Sequence, residues 1–326
     1  MGYLCHMHTA IGTDLALAAD ILRSGGLVAI PTETVYGLAA DALDEDAVLR
    51  IYEAKQRPRF NPLILHTYSF DTFSRYASDI PEACRALAEA FCPGPLTFLL
   101  PKHEIVPDLV TAGSRRVALR VPDHPMTRAL LQGLDRPLAA PSANPSGYVS
   151  PVTARHVMEG LEGRIPYILD GGTCRVGLES TIVSFTPEAV VLHRHGAVTA
   201  EAIHKVTGLP VQAPEDAKVD TPGQLKSHYA PTAPLQVCDV GDWLRRHGGE
   251  RTAVISFQTR YLDPEPRWSR VLSPSGDLHE AARNLFHALR ELDTLKADLI
   301  LAESFPDTGL GIAINDRLKR AQSRYR

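Results

Sequence analysis

Short apolar runs alternate with amphipathic segments along most of this chain. Residues 14–24 carry apolar side chains at helical spacing, and the apolar run 27–30 follows them after two glycines. The order repeats, with strands expected at 62–66, 96–100, 117–121, 137–140, 168–170, 181–185 and 190–193, and helices at 47–55, 82–91, 125–131, 152–159 and 200–206. This alternation predicts an α/β domain, although it does not fix the order of the strands.

The alternation breaks between residues 213 and 234. This stretch is rich in Pro, Gly and charged residues and has no periodicity, which is typical of a linker. Beyond it the spacing of apolar residues again indicates an α/β unit. In this unit Asp277–Glu280 matches a capping box, which predicts the start of a helix. We therefore expect an α/β domain at 14–212, a linker at 213–234 and a smaller α/β domain at 235–326.

Composition argues against several classes of protein. The 326 residues carry 34 Lys and Arg against 38 Asp and Glu, a net charge of −4, so the chain as a whole does not attract polyanions. No run approaches the roughly 20 apolar residues of a membrane helix, and the N-terminal residues do not read as a secretory leader, so we expect a cytoplasmic protein. Five scattered cysteines without a C-x-x-C pair favour reduced thiols over disulfides or a zinc site.

Standard catalytic motifs are missing from the sequence. There is no G-x-x-x-x-G-K-[ST], no G-x-G-x-x-G after the first strand, no H-E-x-x-H and no G-x-S-x-G. The two H-x-H pairs, His6/His8 and His193/His195, have no third ligand nearby in sequence. We therefore assign no metal ion to ligands of the protein itself.

Five polar segments interrupt the apolar pattern. Segments 31–38 and 141–147 each follow a predicted strand, at the end where open α/β sheets bind ligands. Segment 170–181 is a glycine-containing loop that runs into a strand. Read singly, each of the three is also consistent with an ordinary turn.

The other two segments carry positive charge. Lys55, Arg57 and Arg59 stand at a predicted helix end, where they suit either phosphate binding or a solvated surface. In the strand 117–121, alternation places Arg120 on the face opposite its apolar neighbours. Arg120 therefore either lines a cavity or faces water.

Taken together and in this order, the segments are much more specific. They resemble the YrdC-like domain of threonylcarbamoyl-AMP synthases over residues 14–212. The motifs that carry the resemblance are Pro31–Leu38, Lys55-x-Arg57, Asn61–Leu63, Ser142-x-Asn144 and Gly171–Thr181. Two later stretches, Pro222–Pro231 and Gly309–Arg317, are similar to those of the longer, two-domain members.

The resemblance implies a fold and a reaction. The fold would be a twisted mixed-sheet α/β domain of the YrdC type with a central cavity, followed by a smaller Rossmann-like α/β domain. The reaction would join L-threonine, bicarbonate or CO₂, and ATP into threonylcarbamoyl-AMP and pyrophosphate, with Mg²⁺ carried by ATP. The product would serve a separate transferase that modifies the tRNA adenosine beside the anticodon, and direct tRNA binding would not be required.

The resemblance also assigns site residues. Lys55 and Arg57 would neutralise phosphate charge and are the candidate catalytic residues. Those expected to bind ATP are Lys55, Arg57, Asn61, Ser142, Asn144, Ser150, Arg194 and Tyr229. Those expected around L-threonine are Thr34, His66, Arg120 and Ser180. The linker would act as a lid, with Tyr229 closing over ATP.

The chain departs from the family pattern at two positions. Arg116 stands where the family usually has Thr, which puts a hydroxyl contact to the nucleotide in doubt. His195 stands where the family usually has Pro, which removes a turn proline next to Arg194 but keeps the arginine.

Two other functions remain as alternatives. Carbamoyl-adenylate-forming domains of hydrogenase-maturation carbamoyltransferases share the fold, but those proteins add zinc-finger cysteine pairs that this chain lacks. A non-catalytic module that binds double-stranded RNA through the same basic cavity is disfavoured by the net charge of −4 and by the lack of an extended basic or aromatic stripe.

Overall fold

A computed structural model describes residues 8–215 and 229–323 of the chain. Most of the predicted linker 213–234 therefore lies outside the described residues. The described residues form two compact units. The first holds residues 8–146, 151–174 and 179–215, and the second holds 147–150, 175–178 and 229–323.

The first unit is built on a single mixed sheet. Its strands are β1 Ala10–Gly12, β2 Val28–Ile30, β3 Gly37–Asp41, β4 Ile64–His66, β5 Leu96–Pro101, β6 Arg116–Arg120, β7 Leu138–Ala139, β8 Tyr167–Leu169, β9 Thr181–Phe185, β10 Val190–Arg194 and β11 Val211–Gln212. Its helices are α1 Leu15–Arg23, α2 Glu45–Lys55, α3 Glu82–Phe91, α4 Asp108–Thr111, α5 Pro125–Leu134, α6 Ala154–Leu161 and α7 Ala200–Thr207, with a 3₁₀-helix at Phe70–Arg75.

The eleven strands follow the order β1-β8-β2-β3-β7-β4-β6-β5-β9-β10-β11. Strands β4 and β6 run parallel, β5 is antiparallel to β6, and β9 is parallel to β5. Helices α1 and α5 pack on one end of the sheet through a core that includes Leu22, Val28, Leu131, Leu138 and Leu169. This mixed sheet confirms the α/β class predicted from the sequence.

Local chemistry explains where α2 begins and ends. The Asp44 side chain caps the helix by accepting from the backbone N–H groups of Asp46 and Ala47. Glu45 and Asp46 lie in the first turn and Lys55 lies in the last turn, which is the polarity that the helix dipole favours. The helix therefore ends with Lys55 at the start of the polar segment that follows.

The second unit contains a four-stranded parallel sheet with helices. Its strands are β12 Leu235–Val237, β13 Thr252–Ser256, β14 Trp268–Val271 and β15 Leu299–Ala302, in the order β12-β15-β13-β14. Its helices are α8 Val240–His247, α9 Leu278–Thr294 and α10 Leu310–Gln322. The parallel sheet is that of the smaller Rossmann-like α/β unit expected from the sequence.

Strand β3 is an element that the sequence patterns did not predict. Every residue of Gly37–Asp41 is buried, so the segment lacks the polar alternation of a half-exposed strand. It also consists mainly of small residues with low strand propensity. Gly37 fits here because a Cβ at this position would approach Ala140 Cβ to 3.1 Å. The segment is therefore a strand between β2 and β7, and not only a turn closed by Gly37.

Candidate active site

Polar side chains gather where strands of the first unit begin or end. His66 and Arg120 are the last residues of the parallel strands β4 and β6, and their Cα positions are register partners. Thr97, in β5, is the antiparallel partner of Arg120. Ser180 directly precedes β9, which runs parallel to β5. The sheet thus brings residues from distant parts of the chain to one place.

Arg120 is a buried cation with a buried counter-charge. Its Nη2 donates to Glu33 Oε1 at 2.7 Å and to Thr34 Oγ1 at 2.8 Å. The second carboxylate oxygen of Glu33 accepts from the backbone N–H of Asp123 at 2.9 Å. The Arg120 and Glu33 side chains are only 5% and 0% exposed. Arg120 therefore lies in the interior rather than in water, and the ion pair fixes segment 31–36 against the end of β6.

His66 is buried next to this ion pair. Burial disfavours its charged form, and the nearby Arg120 cation adds to the effect, so the pKa of His66 is lowered to about 3. Its Nδ1 lies 3.2 Å from the carbonyl oxygen of Ile64. At neutral pH the ring is therefore uncharged and offers a ligand hydrogen bonding rather than charge.

Ser180 is held by two neighbours. Arg194 Nε donates to the backbone carbonyl of Ser180 at 2.9 Å, and Arg194 Nη2 donates to Ser180 Oγ at 3.0 Å. The hydroxyl of Thr97 lies 2.7 Å from the same Oγ. All three residues are buried. The family resemblance implies that Ser180 lies near threonine and Arg194 near ATP, and the two residues are in direct contact.

Lys55 secures the polar segment that follows β7. Its Nζ donates to the backbone carbonyls of Ser142 and Asn144, and its own carbonyl accepts from the N–H of Ser146 at 2.8 Å. The residue is only 1% exposed. Burial, with a smaller contribution from the charge of Arg57, lowers the pKa of Lys55 well below its usual value. Lys55 thus holds the segment at several points.

Arg57 and Asn61 close the loop that follows α2. Arg57 Nε donates to the Asn61 carbonyl at 3.2 Å, and its Nη2 donates to the Pro62 carbonyl at 2.8 Å. The Asn61 side chain is fully buried, and neither its Oδ1 nor its Nδ2 has a hydrogen-bond partner among the described residues. Buried amides are nearly always paired in folded proteins. The unpaired amide of Asn61 therefore points to a ligand.

Segment 31–38 connects the surroundings of Arg120 to those of Lys55. The carbonyl of Tyr36 accepts from the Ala143 N–H at 2.8 Å, and the Leu38 N–H donates to the Pro141 carbonyl at 2.7 Å. Gly37 and Ser142 form an isolated β-bridge. The two groups of polar residues therefore belong to one continuous part of the first unit.

Two predicted site residues, Ser150 and Tyr229, belong to the second unit. Arg290 of α9 donates from Nη2 to the carbonyl of Val149 at 2.7 Å and from Nε to that of Ser150 at 3.4 Å. The Tyr229 ring is 1% exposed and stacks on Phe286 with ring centroids 5.6 Å apart. The second unit thus orders both residues by its own contacts.

The two departures from the family pattern lie in the first unit. Arg116 begins β6 and lines a cavity of about 370 Å³ together with Ser184 and His193. His195 follows β10, and Arg194 keeps both of its contacts to Ser180. The replacement of a turn proline by His195 therefore leaves the arginine in place.

Glu33 and Thr97 contact candidate site residues, although no sequence pattern singles them out. Glu33 meets Arg120 across 87 positions of the chain, and Thr97 meets Ser180 across 83. Each carried a weak local signal. Glu33 is an acid three residues after the end of a buried strand, and Thr97 is the polar member of the apolar run 96–100.

Metal-binding clusters and membrane-spanning helices are absent from residues 8–215 and 229–323. No group of three His, Cys, Asp or Glu residues in that part of the chain is placed to hold a metal ion. Of the H-x-H pairs, His6 lies outside it, and His193 Nε2 is 2.8 Å from Ser184 Oγ. None of the helices in the same residues combines the length and apolarity needed to cross a membrane.

Two family models match the chain almost end to end. The model described as Telomere recombination covers residues 20–196, and the model described as Threonylcarbamoyl-AMP synthase, C-terminal domain, covers residues 198–323. This chain belongs to the threonylcarbamoyl-AMP synthase family. The paired models show its two-domain form.

Individual members of the threonylcarbamoyl-AMP synthase family resemble the chain over nearly their whole length. The protein of that name from Pyrococcus abyssi is 44% identical over 96% of this chain and 94% of its own. The one from Bacillus subtilis is 42% identical over 94% and 92%. The crystal structure of P. abyssi Sua5 complexed with L-threonine has a TM-score of 0.86 and 40% identity, and covers 97% of both chains.

Proposed function

We propose that this chain is a threonylcarbamoyl-AMP synthase that makes threonylcarbamoyl-AMP and pyrophosphate from L-threonine, bicarbonate or CO₂, and ATP. The observation that carries the proposal is the 44% identity, over 96% of the chain, to the P. abyssi protein of that name. The product would pass to a separate transferase for tRNA modification, in a cytoplasmic setting. The reaction itself requires no direct contact with tRNA.

The surroundings of Arg120 suit the amino acid. Arg120 and the hydroxyls of Thr34 and Ser180 supply a cation and hydrogen-bonding groups in a buried place, and neutral His66 adds a further polar contact. A buried guanidinium binds a carboxylate more strongly than one in water. The solved complex of P. abyssi Sua5 with L-threonine supports L-threonine as the substrate.

The surroundings of Lys55 suit the nucleotide. Arg57 supplies positive charge, and the negative charge of bound phosphates would favour the protonated form of Lys55, whose pKa burial lowers. The unpaired amide of Asn61 supplies both a donor and an acceptor, and the ordered segment from Ser142 to Asn144 supplies further polar groups. Arg194 completes the part of the proposed ATP set that lies in the first unit, and Ser150 and Tyr229 stay predictions from the family resemblance.

Mg²⁺ would arrive with ATP, bound to phosphate oxygens. The groups around Lys55 are cations, hydroxyls and amides, which suit a triphosphate. The carboxylate of Glu33 is already engaged by Arg120 and Asp123. The protein would therefore bind the phosphates, while the ion reduces the charge that Lys55 and Arg57 must neutralise.

The proposed chemistry needs no covalent intermediate on the protein. The threonine amine attacks CO₂ and loses a proton, which gives a carbamate. A carbamate oxygen then attacks the α-phosphorus, the bond to the bridging oxygen breaks, and pyrophosphate leaves with the electron pair. The protein contributes by positioning the two substrates and by stabilising the charge that develops on the phosphate oxygens.

A lid over the site also forms part of the proposal. The carbamate is unstable in water, so the site must exclude solvent during the reaction. The linker 213–234 is the proposed lid, with Tyr229 as the residue that closes over ATP. We expect Tyr229→Ala to lower turnover in the pyrophosphate assay described next.

Pyrophosphate release tests the proposed reaction. The assay uses the full chain with ATP, Mg²⁺ and bicarbonate, and compares L-threonine with L-serine, glycine and no amino acid. We expect release that requires both L-threonine and bicarbonate, and that falls at least about 100-fold in Lys55→Ala. Lys205→Ala, which removes an exposed lysine of α7, is the matched control and should retain full activity.

Different results would indicate different functions. Release that requires carbamoyl phosphate and no amino acid would favour the carbamoyl-adenylate reaction. Salt-dependent binding of double-stranded RNA, with no release under any condition, would favour the RNA-binding module.

A further inference from the structure

Thr97 has no assigned role, yet it lies between two groups proposed to bind threonine. Thr97 is the direct antiparallel partner of Arg120, so the two side chains stand on the same face of the sheet. Its hydroxyl lies 2.7 Å from Ser180 Oγ, and both residues are fully buried. An oxygen of the amino acid substrate near this point is within reach of a cation on one side and a hydroxyl on the other.

The hydrogen atoms around Ser180 allow two arrangements. Arg194 is a donor only, so Ser180 Oγ must accept the hydrogen bond from its Nη2. In the first arrangement, Ser180 donates to Thr97, and the Thr97 hydroxyl then has no other acceptor among the described residues. In the second, Thr97 donates to Ser180. Ser180 Oγ then accepts two hydrogen bonds, one from Arg194 and one from Thr97, and its own O–H is free to donate to a ligand.

We propose that Thr97 is a positioning residue that makes Ser180 a hydrogen-bond donor to an anionic oxygen of the amino acid substrate. A substrate oxygen beside Ser180 selects the second arrangement, because only then are both buried hydroxyl hydrogens bonded. The oxygen is that of the carboxylate, which is the anionic group that L-threonine itself carries. The inference rests on the proposed function, because it takes L-threonine as the ligand.

Two substitutions of Thr97 distinguish the effect of its hydroxyl from the effect of its side-chain shape. Thr97→Val keeps the branched side chain but cannot donate, while Thr97→Ser keeps the hydroxyl. We expect Thr97→Val to raise the Kd for L-threonine several-fold, up to about 10-fold, because Ser180 Oγ loses the donor that turns its O–H toward the ligand, and Thr97→Ser to stay within about twofold of wild type. Isothermal titration calorimetry measures both values on the full chain.

A double-mutant cycle shows whether Thr97 acts through Ser180. We expect Thr97→Val combined with Ser180→Ala to bind L-threonine no more weakly than Ser180→Ala alone, because the hydroxyl that Thr97 orients is then absent. The Kd for α,β-methylene-ATP should stay within about twofold of wild type in Thr97→Val, since the contacts of Arg194 to Ser180 are retained. A purely structural defect would weaken both ligands and lower the melting temperature.

The outcomes distinguish this inference from the proposed function. A threonine Kd in Thr97→Val within about twofold of wild type, or additive effects in the cycle, would overturn the role of Thr97. If Thr97→Val does not fold, Thr97→Ala takes its place in the same cycle. Failure of the wild-type chain to bind L-threonine at all would instead contradict the proposed function. L-threoninamide lacks the carboxylate, so we expect wild type and Thr97→Val to bind it equally. Weaker binding of L-threoninamide by Thr97→Val would contradict a contact of Ser180 to the carboxylate.

Discussion

At the scale of single residues, the buried pair of Arg120 and Glu33 has the clearest consequence. Removing one charge of a buried pair leaves the other without compensation. We expect Glu33→Gln to lower the free energy of unfolding by about 3–5 kcal/mol. Urea denaturation followed by circular dichroism measures the change.

The control for Glu33→Gln is Glu159→Gln, which removes the acid of an exposed pair with Arg155. Arg155 is 87% exposed in that pair, so we expect a change below about 0.5 kcal/mol. Equal effects of the two substitutions would contradict the importance of burial for the Arg120–Glu33 pair.

His66 makes stability depend on pH. Its pKa of about 3 in the folded protein lies below the ordinary value of 6.5, so between these values the unfolded chain binds a proton that the folded chain does not. The free energy of unfolding therefore rises with pH through this window, by about 1.4 kcal/mol per pH unit from this residue.

Urea denaturation at pH 4.5, 5.0, 5.5 and 6.0 tests the contribution of His66. We expect His66→Gln to have a smaller slope than wild type by about 1.4 kcal/mol per pH unit, because glutamine does not titrate. Parallel lines for the two proteins would show that His66 is not the group responsible.

Some residues of the candidate site could be predicted from the sequence and others could not. Lys55 and Arg120 were identifiable because cations at the ends of apolar elements are conspicuous in sequence. Glu33 was not, because its role is defined by a partner 87 positions away. The contacts of Lys55 to two backbone carbonyls were equally hidden, since a carbonyl has no sequence signature.

At the scale of elements, two helical glycines respond in opposite ways to the same substitution. A Cβ on Gly311 in α10 would lie 1.8 Å from the carbonyl oxygen of Pro306, whereas one on Gly133 in α5 would have nothing within 4 Å. We expect Gly311→Ala to destabilise by about 2–3 kcal/mol through overpacking. Gly133→Ala should stabilise by about 0.5–1 kcal/mol, because alanine favours the helix.

Spectroscopy can follow the Gly311 change within its own unit. Both tryptophans of the chain, Trp243 and Trp268, lie in the second unit together with Gly311. The fluorescence transition of Gly311→Ala should therefore move to lower urea concentration. Gly133→Ala is measured by circular dichroism, and loss of stability there would contradict the open space around that residue.

Elements were predictable where local chemistry defines them. Helix α2 has a capping aspartate, acids in its first turn and a lysine in its last, all of which are visible in sequence. Strand β3 has no such signals, because it is completely buried and built of small residues. Its identity as a strand comes from its pairing with β2 and β7, which only the folded sheet provides.

At the scale of the whole molecule, Arg290 joins two parts of the second unit that are far apart in sequence, helix α9 and the segment 147–150. Arg290 donates to the carbonyls of Val149 and Ser150, and its guanidinium lies 4.9 Å from the ring centroid of Tyr148. We expect Arg290→Met to raise the Kd for α,β-methylene-ATP about 10-fold, because the segment that carries Ser150 loses its hydrogen bonds. Hydrogen exchange of residues 147–150 should become faster in the same variant.

A control variant and a control ligand test whether the effect of Arg290→Met is specific to nucleotide binding. Arg246→Met removes an arginine that is 69% exposed on α8 and should change neither quantity. The Kd for L-threonine should stay within about twofold in Arg290→Met. An unchanged nucleotide Kd together with faster exchange would remove Ser150 from the proposed ATP site.

The division into two units also has a consequence for folding during synthesis. Residues 147–150 and 175–178 are synthesised early, yet they belong to the unit that contains Arg290. On a ribosome that adds 5–20 residues per second, Ser150 precedes Arg290 by about 7–28 s. During that interval both short segments are without their partners. Nascent chains stalled before α9 should therefore be cleaved by protease at these segments, and completed chains should resist.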